Sequence, residues 1–161
     1  MFRRLWTDYL GPILRRPPRY QVAALCWRTG PDGIRLLLLT SRETRRWIIP
    51  KGWPKTGLEA ADTAREEAWE EGGVRLAAAS EAVGRYTYAK RMRGVPVGTE
   101  VDVFAFRVLE IADDFPEAGQ RERVWLPPAE AAARVDEPGL ARILAAAGHL
   151  DPGAEPEGPQ A

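Results

Sequence analysis

Apolar and polar positions along the chain fall into blocks of two different periods. "YQVAALCWR" (20–28) is rich in β-forming residues and "IRLLLLTS" (34–41) is an almost unbroken apolar run. Both predict strands, the second mostly buried. Between them, "GPDG" (30–33) predicts a turn, because proline presets φ and glycine accepts positive φ, so the two strands form a hairpin. "RWIIP" (46–50) is a short apolar piece ended by Pro50. "GRYTYAKR" (84–91) and "EVDVFAFRVLE" (100–110) alternate with period two and predict strands, and "RERVWLP" (121–127) predicts another. A helix is expected from about 57 to 71, with Thr56 as N-cap and Glu59 at N3 in a capping box. "PPAEAAARV" starts a second helix with proline in its first turn, and "PGLARILAAAGHL" (138–150) is a last helix. Strands and helices mixed in this order predict one α/β domain around a mixed sheet.

That domain is expected over residues 18–150. Residues 1–17 read as an amphipathic extension, interrupted at Gly11-Pro12, that packs on the domain or on a second copy in a homodimer. Residues 151–161 have the composition of a disordered tail. No apolar run approaches the roughly 20 residues of a membrane span, and the opening residues lack a secretory h-region. A lone cysteine, Cys26, sits in an apolar run, which points to a buried thiol in a cytoplasmic protein. Trp47 and Trp69 are expected in the core, and Trp53 beside the loop glycine Gly52. His149, the one histidine, has no partner residues near it in sequence and is assigned no chemistry.

Charge changes this picture. The 161 residues have a net charge of zero, yet residues 1–55 carry twelve Arg and Lys against three acids, a net of +9. Such asymmetry points to a polyanionic partner. Nucleic acid is not expected, because no interleaved basic and aromatic motif accompanies the charge.

The acids are most crowded in "REEAWEEGG" (65–73). At about 100° per residue, Glu67, Glu70 and Glu71 share an arc of roughly 100°, while Ala61, Ala64 and Ala68 lie on a neighbouring arc suited to packing on a sheet. Glu66/Glu70 and Glu67/Glu71 are like-charge i,i+4 pairs, each costing about 0.2–0.5 kcal/mol. They also crowd a helix C-terminus, where the macrodipole disfavours negative charge. Two local rules broken in one place mark a candidate site. Cations resolve the conflict, and hard ions such as Mg²⁺ bind through carboxylates together with substrate phosphates.

With Lys51-Gly52 upstream and Gly72-Gly73-Val74 downstream, the chain resembles the Nudix hydrolases. Their signature runs Gly, five residues, Glu, seven residues, then Arg-Glu-apolar-X-Glu-Glu-X-Gly-apolar. Anchored at Gly52, it places Glu67, Ala68, Glu70, Glu71, Gly73 and Val74 in register. Two positions depart. The first glutamate falls on Leu58, with Glu59 one residue later, and the arginine falls on Glu66, with Arg65 one residue earlier. In the family that arginine orients the catalytic glutamate. The resemblance covers roughly 18–148 and looks most like the branch acting on diphosphoinositol polyphosphates and diadenosine polyphosphates.

The resemblance implies an α/β/α sandwich around a mixed β-sheet and hydrolysis of a phosphoanhydride by a metal-activated water. Glu67, Glu70 and Glu71 would be the catalytic carboxylates and, with the backbone carbonyl of Lys51, would bind Mg²⁺ or Mn²⁺; Glu67 would take the proton. Ser41 and Arg42 map onto a Ser-Arg pair that contacts phosphates in that branch. Arg19, Lys90, Arg91, Arg93, Arg121 and Arg123, at loop and strand ends, are further phosphate-binding candidates, since a guanidinium fork matches phosphate oxygens. Residues 90–100 are expected to be a substrate-selecting loop. The expected substrate is a polyphosphorylated small molecule, either a dinucleoside polyphosphate or a diphosphoinositol polyphosphate. The alternatives are another nucleoside diphosphate derivative (ADP-ribose or a damaged nucleotide) or a noncatalytic sensing module.

Overall fold

The computed structural model describes residues 19–150, apart from the side chains of Arg91 and Met92. The expectations for residues 1–17 and 151–161 lie outside the described residues. Strand β1 (Arg19–Gly30) pairs antiparallel with β2 (Gly33–Thr40) through the expected turn. It pairs in parallel with β7 (Val95–Ile111) on its other side. The sheet order is β3–β2–β1–β7–β5, where β3 is Trp47–Ile48 and β5 is Val74–Leu76. Strand β4 (Lys51–Gly52) pairs with β1, β6 (Glu81–Met92) with β7, and β8 (Arg123–Leu126) with β2. One parallel pairing among antiparallel ones makes the sheet mixed, as expected.

The long apolar runs of β1 and β2 follow from burial on both faces of the sheet. Val22, Ala24 and Cys26 pack with Leu37, Leu39 and helix α1 (Ala60–Gly72). Ala23 and Leu25, one residue out of phase, pack with Leu36, Leu38, Leu140 and Leu144 on the opposite side. There lie helices α2 (Pro128–Arg134) and α3 (Pro138–Ala145), so the α/β/α sandwich is confirmed. Ala64 and Ala68 are fully buried, and their small side chains let α1 lie close to the sheet. Cys26 is buried, and burial pushes its thiol far up, out of the reactive range.

Several expectations are corrected. The capping box does not form: Glu59 is the N-cap and makes no side-chain cap bond, while Thr56 lies in a turn. Gly57, at φ +82°, folds the chain so that the Leu58 N–H donates to the Lys55 carbonyl at 3.1 Å. The loop is tied to the helix by Thr63, whose Oγ1 accepts the Lys55 N–H at 3.4 Å. Residues 90–100 are not a loop. β6 and β7 continue to a two-residue turn at Arg93-Gly94, where both residues have positive φ, 52° and 79°, matching the twist of the flanking strands. The last helix stops at Ala145 and tightens into a 3₁₀ turn, Ala146–Leu150. Trp69 is half-buried under the Arg75 guanidinium, 4.0 Å from its ring, rather than in the core. Trp47 packs against the α2–α3 side of the core.

Candidate active site

Strand β4 aligns Gly52 with Val22 and Lys51 with Ala23, which sets this short strand against the second half of α1. A Cβ on Gly52 would collide with the Glu67 carboxylate, so the bare glycine is what allows Glu67 its position. One turn on, Glu71 Oε2 accepts the backbone N–H of Lys51 at 3.4 Å. Glu71 Oε1 lies 3.6 Å from Arg121 Nη2. Burial pushes the Glu71 carboxyl up to about 8, although the Arg121 guanidinium pulls the other way. Burial also raises Glu67, which adjoins Glu71, and lowers the Lys51 ammonium. The helix ends where Gly73 adopts φ +65° and donates its N–H to Trp69 O at 3.0 Å.

The remaining glutamates meet a cation from the loop before the helix. Lys55 Nζ lies 2.9 Å from Glu66, 3.0 Å from Glu70 and 3.5 Å from Glu67. Among the described residues, no three His, Cys, Asp or Glu side chains converge as a ready cage for an ion. The carboxylates are instead divided between Lys55 on one side and Lys51 and Arg121 on the other. The set nevertheless fits a divalent ion. Glu67 and Glu70 already share one cation, Glu71 adjoins Glu67, and every donor is a hard oxygen, the preference of Mg²⁺ and Mn²⁺.

Beside this cluster opens a cavity of about 740 Å³ whose lining includes Lys51, Glu67 and Glu71. Of the expected phosphate contacts, Ser41, Arg42, Lys90 and Arg121 reach it. Ser41 Oγ accepts the Arg46 N–H at 3.2 Å and bonds the Thr44 hydroxyl, which fixes the loop. Arg42 extends into solvent, 3.4 Å from Glu117. Arg121 is nearly buried and committed to Glu117 and the Thr40 carbonyl as well as Glu71. Lys90 stands 4.9 Å over the Trp53 ring, and Arg19 5.8 Å from it, at the margin of the cavity. Arg123 is elsewhere: it donates to the carbonyls of Gly72 and Ala112 at 3.0 and 2.8 Å and covers Phe115. Arg93 is exposed in the hairpin turn, and the side chain of Arg91 lies outside the described residues. His149 is exposed and bonded to Glu81 and the Ala146 carbonyl, away from the cavity.

Four participants escape sequence reasoning. Tyr88 donates to Gln21 Oε1 at 2.6 Å across the sheet, and both line the cavity. A lone polar Gln21 near the start of the apolar β1 was the available signal. Arg46 reaches Glu137 at 3.1 Å, over 91 positions, with no local pattern to reveal it. Lys55 joins the glutamates only because the loop folds back on α1.

The architecture and the residues it gathers have counterparts. Residues 19–147 match the model of the NUDIX domain. The chain belongs to the Nudix hydrolase family. Among solved Nudix-like structures, it is similar to an Ap4A hydrolase from C. elegans, at 18% identity and TM-score 0.57, covering 80% of this chain and 95% of that one. It is also similar to the NUDIX domain of NrtR from Shewanella oneidensis complexed with ADP ribose, at 13% identity and TM-score 0.63, covering 93% and 99%. A third, the dihydroneopterin triphosphate pyrophosphohydrolase of E. coli, has 14% identity and TM-score 0.63, covering 84% and 99%. At these identities the likeness shows the shared Nudix fold. No curated protein sequence matches the chain. No helix among the described residues is long and apolar enough to cross a membrane.

Proposed function

We propose that this Nudix hydrolase cleaves a phosphoanhydride bond in a polyphosphorylated small molecule, of the dinucleoside polyphosphate or diphosphoinositol polyphosphate class. The observation that carries this reading is the seating of Glu67 against Gly52, which sets it with Glu71 in the wall of a cavity that Arg42 and Lys90 also line, while Glu70 shares the Lys55 ammonium with Glu67. Glu67, Glu70, Glu71 and the Lys51 carbonyl would hold Mg²⁺ or Mn²⁺. When bound, such an ion supplies an activated water and neutralises charge on the pyrophosphate.

The chain's own residues supply the rest. Arg42, Lys90 and Ser41 bind and orient phosphate oxygens, and catalysis of this kind rests mainly on positioning and electrostatics. Glu67, seated against Gly52 in the wall of the cavity, accepts the proton of the attacking water at its carboxylate. Arg121 and the Lys51 N–H hold the Glu71 carboxyl in place. Trp53, flanked by Lys90 and Arg19, offers an aromatic face at the rim for the non-phosphate end of the substrate.

A panel of diadenosine polyphosphates, diphosphoinositol polyphosphates and ADP-ribose, assayed with Mg²⁺ and Mn²⁺, tests the proposal. Metal-dependent turnover of the first two classes, abolished in Glu70→Gln, is expected. Binding without turnover of any of them would overturn it in favour of a sensing module.

A further inference from the structure

The departure at Glu66 acquires a meaning once Lys55 is located. Where the Nudix signature has an arginine, this helix has a glutamate, and the cation comes from the loop. Lys55 Nζ is 2.9 Å from Glu66 Oε2, 3.0 Å from Glu70 Oε1 and 3.5 Å from Glu67 Oε1. One ammonium therefore answers three carboxylates that would otherwise repel one another. Two of the three are the ones expected to bind a divalent ion.

The backbone of Lys55 is held at both ends. Its N–H bonds Thr63 Oγ1, and its carbonyl accepts the Leu58 N–H. Only the four-carbon stem is free to carry the charge. An ammonium is a point charge without the fixed fork of a guanidinium, so it can move from one carboxylate to another. Its three partners differ in exposure: the Glu67 side chain is 12% exposed, Glu70 41% and Glu66 50%. Glu66 is also rotated by about 100° from Glu67 around the helix, toward the solvent flank. An ammonium resting on Glu66 alone leaves Glu67 and Glu70 unencumbered.

We propose that Lys55 is the resident counter-ion of this cluster, which a divalent cation displaces from Glu67 and Glu70, and that Glu66 is where the displaced ammonium stays. The inference rests on the metal-ion reading above and adds to it: metal entry is an exchange of cations, and Glu66 lowers the free-energy cost of that exchange by keeping a partner for the displaced ammonium. A glutamate in the arginine's place is then useful to the site, because an arginine there would compete with Lys55 and leave it no partner outside the metal ligands.

The test is Mn²⁺ binding to the full chain without substrate, followed by calorimetry and by loss of the free-ion paramagnetic resonance signal. Lys55→Met should bind Mn²⁺ about tenfold more tightly than the wild type, a shift of about 1.4 kcal/mol, while Lys55→Arg should not. Glu66→Gln should weaken binding in the Lys55 background and have a clearly smaller effect in the Lys55→Met background. Thermal melts identify any variant that fails to fold, in which case Lys55→Gln replaces Lys55→Met. Unchanged or weaker Mn²⁺ binding in Lys55→Met, with normal binding by the wild type, overturns this inference and leaves the proposed function standing. An equal effect of Glu66→Gln in both backgrounds overturns the role given to Glu66. Absence of Mn²⁺ binding in wild type and variant alike overturns the inference and the metal reading together.

Discussion

Gly52 and Glu67 are fitted to each other: a Cβ on the glycine would occupy the space of the glutamate's carboxylate. The contact links a two-residue strand to the middle of α1, and it sets how far the carboxylate can approach the cavity. In Gly52→Ala the side chain of Glu67 must swing away. A displacement of about 1 Å costs about 100-fold in a positioned reaction. We expect kcat/KM to fall by about that factor while the thermal midpoint falls only slightly, because the new methyl meets a side chain end rather than backbone. Steady-state kinetics and thermal melts on the same preparation check it.

Gly73 is constrained twice, by φ +65° and by Phe115 packed where a Cβ would stand. Gly73→Ala should destabilise the fold by about 1–3 kcal/mol, through strain at a left-handed position together with the clash. Denaturant unfolding measures the loss. Truncating Phe115 to alanine in the same chain should recover the clash component and leave the conformational one.

Arg42 and Arg123 were both candidates for phosphate binding from sequence, and the structure separates them. Arg42→Ala should raise KM about tenfold with little change in kcat or stability, as expected for loss of one charge-assisted contact to a bound phosphate. Arg123→Ala should leave KM unchanged and lower stability by about 1–3 kcal/mol, because the carbonyls of Gly72 and Ala112 lose their donor. Kinetics and chemical denaturation of the two variants distinguish these outcomes.

Where β1, β7 and β6 adjoin, Asp102 accepts from Arg85 Nε at 2.6 Å and from the Tyr20 hydroxyl at 2.8 Å. The bond from Arg85 holds the Asp102 carboxyl below its usual value of 3.8. A depressed folded-state pKa contributes stability that is present above the unfolded value and is lost as pH falls through the folded one. Wild-type stability should therefore drop as pH is lowered from about 4 through the acid range. Asp102→Asn should start less stable at neutral pH and lose less over that interval. Unfolding curves at matched ionic strength, from pH 6 to pH 2, report both.

The sequence by itself determined the fold class and the place of the acidic cluster. Both are written in short-range patterns. Continuous apolar strands in β1 and β2 need cover on two faces, and small residues at Ala64 and Ala68 fit a helix to a sheet. Carboxylates at 67, 70 and 71 break local electrostatic rules in a way that calls for cations from outside the helix. Tertiary structure alone decided which partners those carboxylates meet. Lys51 and Lys55 lie on the stretch leading into α1 and Arg121 on the distant segment before β8, and nothing in the period of either encodes the other. The same cause explains the errors at Thr56, where a positive-φ glycine and Thr63 outweighed a capping pattern, and at 90–100, where cross-strand pairing carried β6 and β7 through a stretch of weak propensity. Short-range pattern reports the forces within an element, whereas the charge each side chain faces depends on chain segments brought together only by packing.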